Sequence, residues 1–160
     1  MEYKFGGKRT DNGEWVYGNL VYMHGRGDTW TTGIQQPSGD GFRPFGSIPV
    51  DIITVRQYIG REDKYNKEIY TKDYVKITVK FTMGIETSTI TIAEGVVEYR
   101  ANKISDLGCG FGVVDKRGTF NYLSSFAYNC EIEKLGNIFD NPELLEVAED
   151  DNTAGNRQGA

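Results

Sequence analysis

The chain has a single histidine, two cysteines and four prolines in 160 residues, and each scarcity removes a kind of chemistry. With His24 alone, a multi-histidine metal centre is excluded and a Ser-His-Asp triad has one available base. His24 lies in a Gly-rich stretch, His24-Gly25-Arg26-Gly27-Asp28, and reads as a loop residue. Cys109 and Cys130 are too far apart for a CxxC redox or zinc pattern and read as two reduced thiols rather than a disulfide. No window approaches the roughly 20 apolar residues that span a bilayer, and Met1-Glu2-Tyr3-Lys4-Phe5 carries no apolar leader. A cytoplasmic protein with no membrane partner is expected. A basic surplus is also missing. The formal charge is -5, from 23 acidic against 18 basic residues, which argues against a surface devoted to nucleic acid.

What is abundant points to β structure. Ten Tyr, eight Phe and two Trp stand among many Val, Ile and Thr, and 20 Gly supply turns between short strands. Asp11-Asn12-Gly13 between Phe5–Arg9 and Trp15–Tyr22 is a hairpin signal, with Trp15 and Tyr17 on one face. The stretch from His24 to Gly46 reads as loop, interrupted by a short strand at Trp30–Ile34. A β-branched run over Ile48–Tyr58 predicts one strand joining the two halves of the chain. Tyr74-Val75-Lys76-Ile77-Thr78-Val79-Lys80-Phe81 alternates with period two and has one inward face. Further short strands are expected at Thr87–Ile92, Gly95–Tyr99, Phe111–Asp115, Thr119–Leu123 and Glu131–Phe139. Asn141-Pro142 then opens a short helix reaching about Glu149, with Asn141 as N-cap and Pro142 in the first helical position.

The expected architecture is mainly β: an N-terminal β-hairpin region with a Gly-rich loop over residues 1–56, then a small SH3-like antiparallel barrel with a terminal helix over 57–149. Residues 150–160 read as a disordered tail, acidic at Asp150 and Asp151 and small or polar from Asn152 onward apart from Arg157.

These residues resemble the YopX family of phage and prophage proteins. The resemblance rests on Phe5-Gly6-Gly7-Lys8-Arg9 with Asp11–Gly18, on the block Gln57–Tyr70 followed by Asp73-Tyr74-Val75, on Gly95–Tyr99, and on Gly136–Leu145. The chain departs from the family pattern at Tyr65-Asn66 and at Thr71-Lys72. The resemblance implies a phage origin, a bacterial host cell and a β-rich fold. It implies no catalytic residues, because the family has no established activity.

Several motifs read as structural. Gly108-Cys109-Gly110-Phe111-Gly112 has the glycines of a phosphate loop but is followed by a β-rich run instead of a helix, so it reads as a turn into a strand. Glu62-Asp63 and the pair Glu131 and Glu133 could hold Mg²⁺ in principle, but read as solvent-exposed carboxylates. No catalytic constellation, metal site or cofactor is expected. The features that remain are two groups of cations beside aromatics. The first has Lys4, Lys8, Arg9, Trp15 and Tyr17; the second has Lys76, Lys80, Arg100 and Lys103 beside Tyr74 and Tyr99. Stacking on rings combined with phosphate contacts is how small barrels hold single strands. The leading expectation is a non-enzymatic accessory protein that binds a host or phage protein, as a homo-oligomer joined through exposed β edges. The alternative is a small-barrel nucleic-acid-binding module.

Overall fold

The computed structural model describes residues 4–24, 29–36, 46–101, 109–126 and 130–146. The chain divides into two compact units, Met1–Thr71 and Lys72–Ala160. The first holds strands β1 (Phe5–Lys8), β2 (Trp15–His24), β3 (Trp30–Gln35), β4 (Ser47–Pro49), β5 (Arg56–Glu62) and β6 (Glu68–Tyr70), forming an antiparallel sheet in the order β4-β3-β2-β1-β5-β6. The second holds β7 (Asp73–Met83), β8 (Glu86–Ala101), β9 (Cys109–Asp115), β10 (Phe120–Tyr122) and β11 (Cys130–Asn137), in the order β10-β9-β8-β7-β11. One helical turn, α1 (Glu143–Glu146), follows.

The first hairpin turns where Asn-Gly placed it: Gly13 has φ +74, Asn12 accepts the Glu14 N–H, and Lys8 lies opposite Trp15. The strand expected at Trp30 is β3. Two other expectations change. The run over Ile48–Tyr58 is broken, because the Asp51 carboxylate accepts the Ile53 N–H at 3.0 Å and Thr54 donates its hydroxyl to the Asp51 carbonyl at 2.7 Å. A 3₁₀ turn at Ile52–Thr54 results, with Ile52 and Ile53 exposed. The strands expected at Thr87–Ile92 and Gly95–Tyr99 are one continuous β8, bent by a bulge opposite Ile77 and Thr78.

The SH3-like barrel is not closed among the described residues: β10 and β11 end the second sheet and do not pair with each other. Strands β5 and β6 pair into the first sheet, so the units part after Thr71, whereas the sequence suggested a boundary after Arg56. Within the former loop region, His24 is the last residue of β2, in an edge contact with Trp30 at 4.9 Å. Residues 25–28 and 37–45, the end of the C-terminal helix and the 150–160 tail lie outside the described residues.

Each unit has its own core. In the first, Val16, Ile34 and Val50 are buried, with Phe5, Leu20, Ile48 and Val55 packed against them. In the second, alternation along β7 puts Val75 and Ile77 on the inner face, joined by Val97, Val113, Leu123 and Ile132. Each fully buried aliphatic side chain contributes about 1.5–3 kcal/mol. The second face of the first sheet is where aromatics and cations gather.

Candidate functional site

Gly6 on β1 lies between Tyr17 on β2 and Arg56 on β5, so the three form one row across the sheet. A Cβ on Gly6 would come within 2.9 Å of Tyr17 Cε1 and 3.4 Å of Arg56 Nε. The bare backbone is what lets both side chains lean over the strand. Arg56 is 3% exposed. Its guanidinium carbon is 3.9 Å from the Trp15 ring centre, 5.0 Å from that of Tyr70 and 5.7 Å from that of Tyr17, and its Nη2 donates to the Tyr17 hydroxyl at 2.9 Å. A desolvated cation over aromatic faces is worth about 2 kcal/mol per favourable contact.

The rings continue along the face. Trp15 and Tyr17 are near-parallel with centroids 6.5 Å apart, Tyr17 meets Tyr70 at 5.3 Å, and Tyr58 meets Tyr70 at 5.6 Å. The Lys8 ammonium lies 5.5 Å from the Trp15 ring centre. At the other end, Lys4 Nζ donates to both Glu68 oxygens at 2.6 and 2.7 Å, and the Tyr70 hydroxyl donates to Glu68 Oε2 at 2.7 Å.

Burial, first of all, together with the bond to Glu68 and its negative charge, holds the Tyr70 hydroxyl protonated well above the ordinary phenol range. The folded chain therefore keeps this proton more tightly than the unfolded one. Its contribution to stability is complete below the unfolded value and is lost as pH climbs through and beyond it. Denaturant melts at about pH 9 and about pH 11, either side of the free phenol value, should show a loss of stability that is smaller in Tyr70→Phe than in wild type. Equal losses in the two proteins would remove Tyr70 as the cause.

Of the first group predicted from sequence, Lys4, Lys8, Trp15 and Tyr17 share this face. Arg9 does not join them: it forms a two-pronged pair with Asp11 at 2.8 and 2.6 Å in the hairpin turn. The second group is dispersed. Lys76 lies 3.8 Å from Glu94, opposite it on β8, whereas Arg100 is six residues further along that strand, about 20 Å away at the usual rise. Arg100 reaches Glu98 and the Phe120 ring, Lys80 donates to Glu131, and Tyr99 packs edge-on against Phe111 on the opposite face from Arg100. Tyr74 is half-buried on β7 with its hydroxyl pushed up by burial. Lys103 lies outside the described residues.

Arg56, Tyr70, Glu68 and Gly6 belong to the face without having been singled out from sequence. The available signal was a strand glycine, which marks a close approach by neighbours, and the shared parity of Arg56 and Tyr58. Asp63, expected to be exposed, is buried: its Oδ1 accepts the N–H groups of Tyr65 and Lys67 at 2.8 and 2.9 Å and shapes the turn between β5 and β6. Among the described residues no group of three or more His, Cys, Asp or Glu could hold a metal ion. Cys130 is a half-buried free thiol, and Gly110–Gly112 lie within β9.

A family model described as YopX protein matches residues 4–146. The chain belongs to the YopX family. No curated protein matches it. The segments that carried the resemblance to YopX proteins, Phe5–Arg9, Asp11–Gly18 and Gln57–Tyr70, supply Gly6, Lys8, Trp15, Tyr17, Tyr58, Glu68 and Tyr70. The YopX landmarks in the first unit and the aromatic face are therefore largely the same residues.

Proposed function

We propose that this YopX protein is a phage- or prophage-encoded, non-enzymatic accessory protein that binds a macromolecule in the bacterial cytoplasm, through the Lys8, Trp15 and Tyr17 side of its first sheet. The observation that carries this reading is how the cations are used. Lys4 is matched by Glu68, Arg9 by Asp11, and Arg56 is enclosed by three rings. Charges paired with carboxylates or buried beneath rings in this way offer little to a phosphate backbone, while half-buried Trp and Tyr rings backed by Arg are the side chains that dominate protein interfaces. A host or phage protein is thus favoured as partner. An SH3-like relationship of the second unit belongs to the same reading, supported by its antiparallel strand order β10-β9-β8-β7-β11.

The nucleic-acid alternative is supported by the Lys8 ammonium over Trp15, a pairing suited to a stacked base beside a phosphate. Capture from host lysate on the immobilised full-length chain, with and without nuclease, separates the two. A nuclease-resistant protein should be retained by wild type and by Trp15→Phe. Trp15→Ala should lose it by about 30-fold or more in affinity, the scale of an interface hot spot of 2 kcal/mol. Recovery of nuclease-sensitive material alone would favour nucleic acid, and capture indifferent to Trp15→Ala would move the site elsewhere.

A further inference from the structure

Among the described residues, strand β7 has β11 beside it from Asp73 to Val79, and β8 has β9 beside it from Gly95 to Ala101. Beyond those limits Lys80–Met83 and Glu86–Thr89 pair only with each other among the described residues, as a two-stranded ribbon turning at Gly84-Ile85, and the outer edge of β8 stays uncovered on through Ile92. Such a ribbon is marginal in water unless a further strand or surface covers it. Exposed side chains along the ribbon and the β8 edge include Phe81, Ile90 and Ile92, and the tip residue Ile85 is fully exposed.

Monomeric proteins guard sheet edges with lysine, proline or inward charge. The β7 edge has Lys80, engaged with Glu131. The β8 edge, Glu86-Thr87-Ser88-Thr89-Ile90-Thr91-Ile92, has neither lysine nor proline and only one charge, at one end. Room for an apolar tip is found in the same unit. A cavity of about 780 Å³ begins at Thr91 and Ile92 and is walled by Leu144 and Leu145 of the α1 turn, with Lys116 and Arg117 and the carboxylates of Glu94, Glu98 and Asp115 also lining it.

We propose that this edge pairs with the same edge of a second copy of the chain, antiparallel and centred on Thr89. In that register Thr87 faces the copy's Thr91 and Ser88 faces its Ile90, which continues the apolar stripe of Val79, Phe81 and Ile90 across the junction. Glu86 faces the copy's Ile92, so no like charges stand directly opposite one another, and each Glu86 arrives at a rim where Lys116 and Arg117 stand with Glu94 and Asp115. Each Ile85 tip reaches the mouth of the other copy's cavity. The arrangement is two-fold symmetric, so every contact is made twice. It is independent of the reading of the first sheet, since the residues lie in the other unit.

Sedimentation of the full-length chain over a range of concentrations tests it. Wild type and Thr89→Val should form a reversible dimer. Thr89→Glu brings two carboxylates together on the axis yet faces Lys80 within its own ribbon, so it should fold normally and self-associate more than about tenfold more weakly. Ile85→Ser removes the inserted tip from a fully exposed position and should weaken the dimer by about tenfold. Thermal melting of each variant confirms that the fold is kept. A wild type that stays monomeric at every concentration, or a dimer that tolerates both Thr89→Glu and Ile85→Ser, would overturn the proposal.

Discussion

Gly95→Ala should destabilise the second unit by about 3 kcal/mol or more, the upper range for forcing atoms into a packed site. Gly95 lies in the middle of β8, between Val75 on β7 and Asp115 on β9. A Cβ built there falls 1.9 Å from the Val114 carbonyl oxygen and 2.7 Å from its carbon. Those atoms are backbone in a paired strand and cannot rotate away as a side chain can, so relief requires β9 to shift and give up ladder hydrogen bonds. Gly110, on β9, is the internal control: its nearest neighbour would be Tyr122 Cδ1 at 3.8 Å, an ordinary contact. Gly110→Ala should be neutral or stabilising by about 0.5–1 kcal/mol, because glycine loses more backbone freedom on folding. Urea denaturation of the two variants measures both. A Gly95→Ala protein as stable as wild type would mean that the two backbones do not approach this closely.

Lys134→Met should cost about 3 kcal/mol. Its ammonium lies 2.7 Å from Asp73 Oδ2, and the Asp73 side chain is wholly removed from solvent. The bulge between Lys134 and Gly136 shifts the β11 register beside β7 and places the lysine over the start of that strand. Removing one member of a buried pair leaves the other charge desolvated and poorly compensated, which costs about 3–5 kcal/mol. Lys134 is 18% exposed, which points to the lower end of that range. Adding Asp73→Asn to Lys134→Met should recover part of the loss, because the uncompensated charge goes with it. Urea melts of the two single variants and the double variant close the cycle. A double variant less stable than the sum of the singles would assign the cost to packing instead of charge.

Local signals were legible in the sequence wherever one chain segment determined the outcome. The alternation of Tyr74–Phe81 gave the inner face of β7, and Asn12-Gly13 gave the first turn. The break at Ile52–Thr54 was hidden because β-branched residues favour strands, while the deciding interaction is a single carboxylate at Asp51 accepting a backbone N–H. The continuity of β8 was hidden because Ala93-Glu94-Gly95 reads as punctuation, whereas the glycine admits the close approach of the neighbouring β9 backbone. Arg56 illustrates the limit for the candidate site. A charged residue in a strand reads as a solvent-facing one, and its burial depends on rings from β2 and β6 and on the missing side chain at Gly6, partners between 14 and 50 residues away in the chain. The second cation group failed for the related reason that residue proximity in sequence does not fix position along a paired strand.

The strand order also sets when each sheet can be completed during synthesis. The first sheet has its last strand, β6, at Tyr70, so it can close while the second half of the chain is still being made. The second sheet must wait for β11, whose residues lie 51 to 64 positions along the chain from their partners on β7. Until translation reaches Asn137, β7 has an unfilled flank and Asp73 has no Lys134. A ribosome that stalls between those points leaves a finished first unit tethered to an open, aggregation-prone sheet.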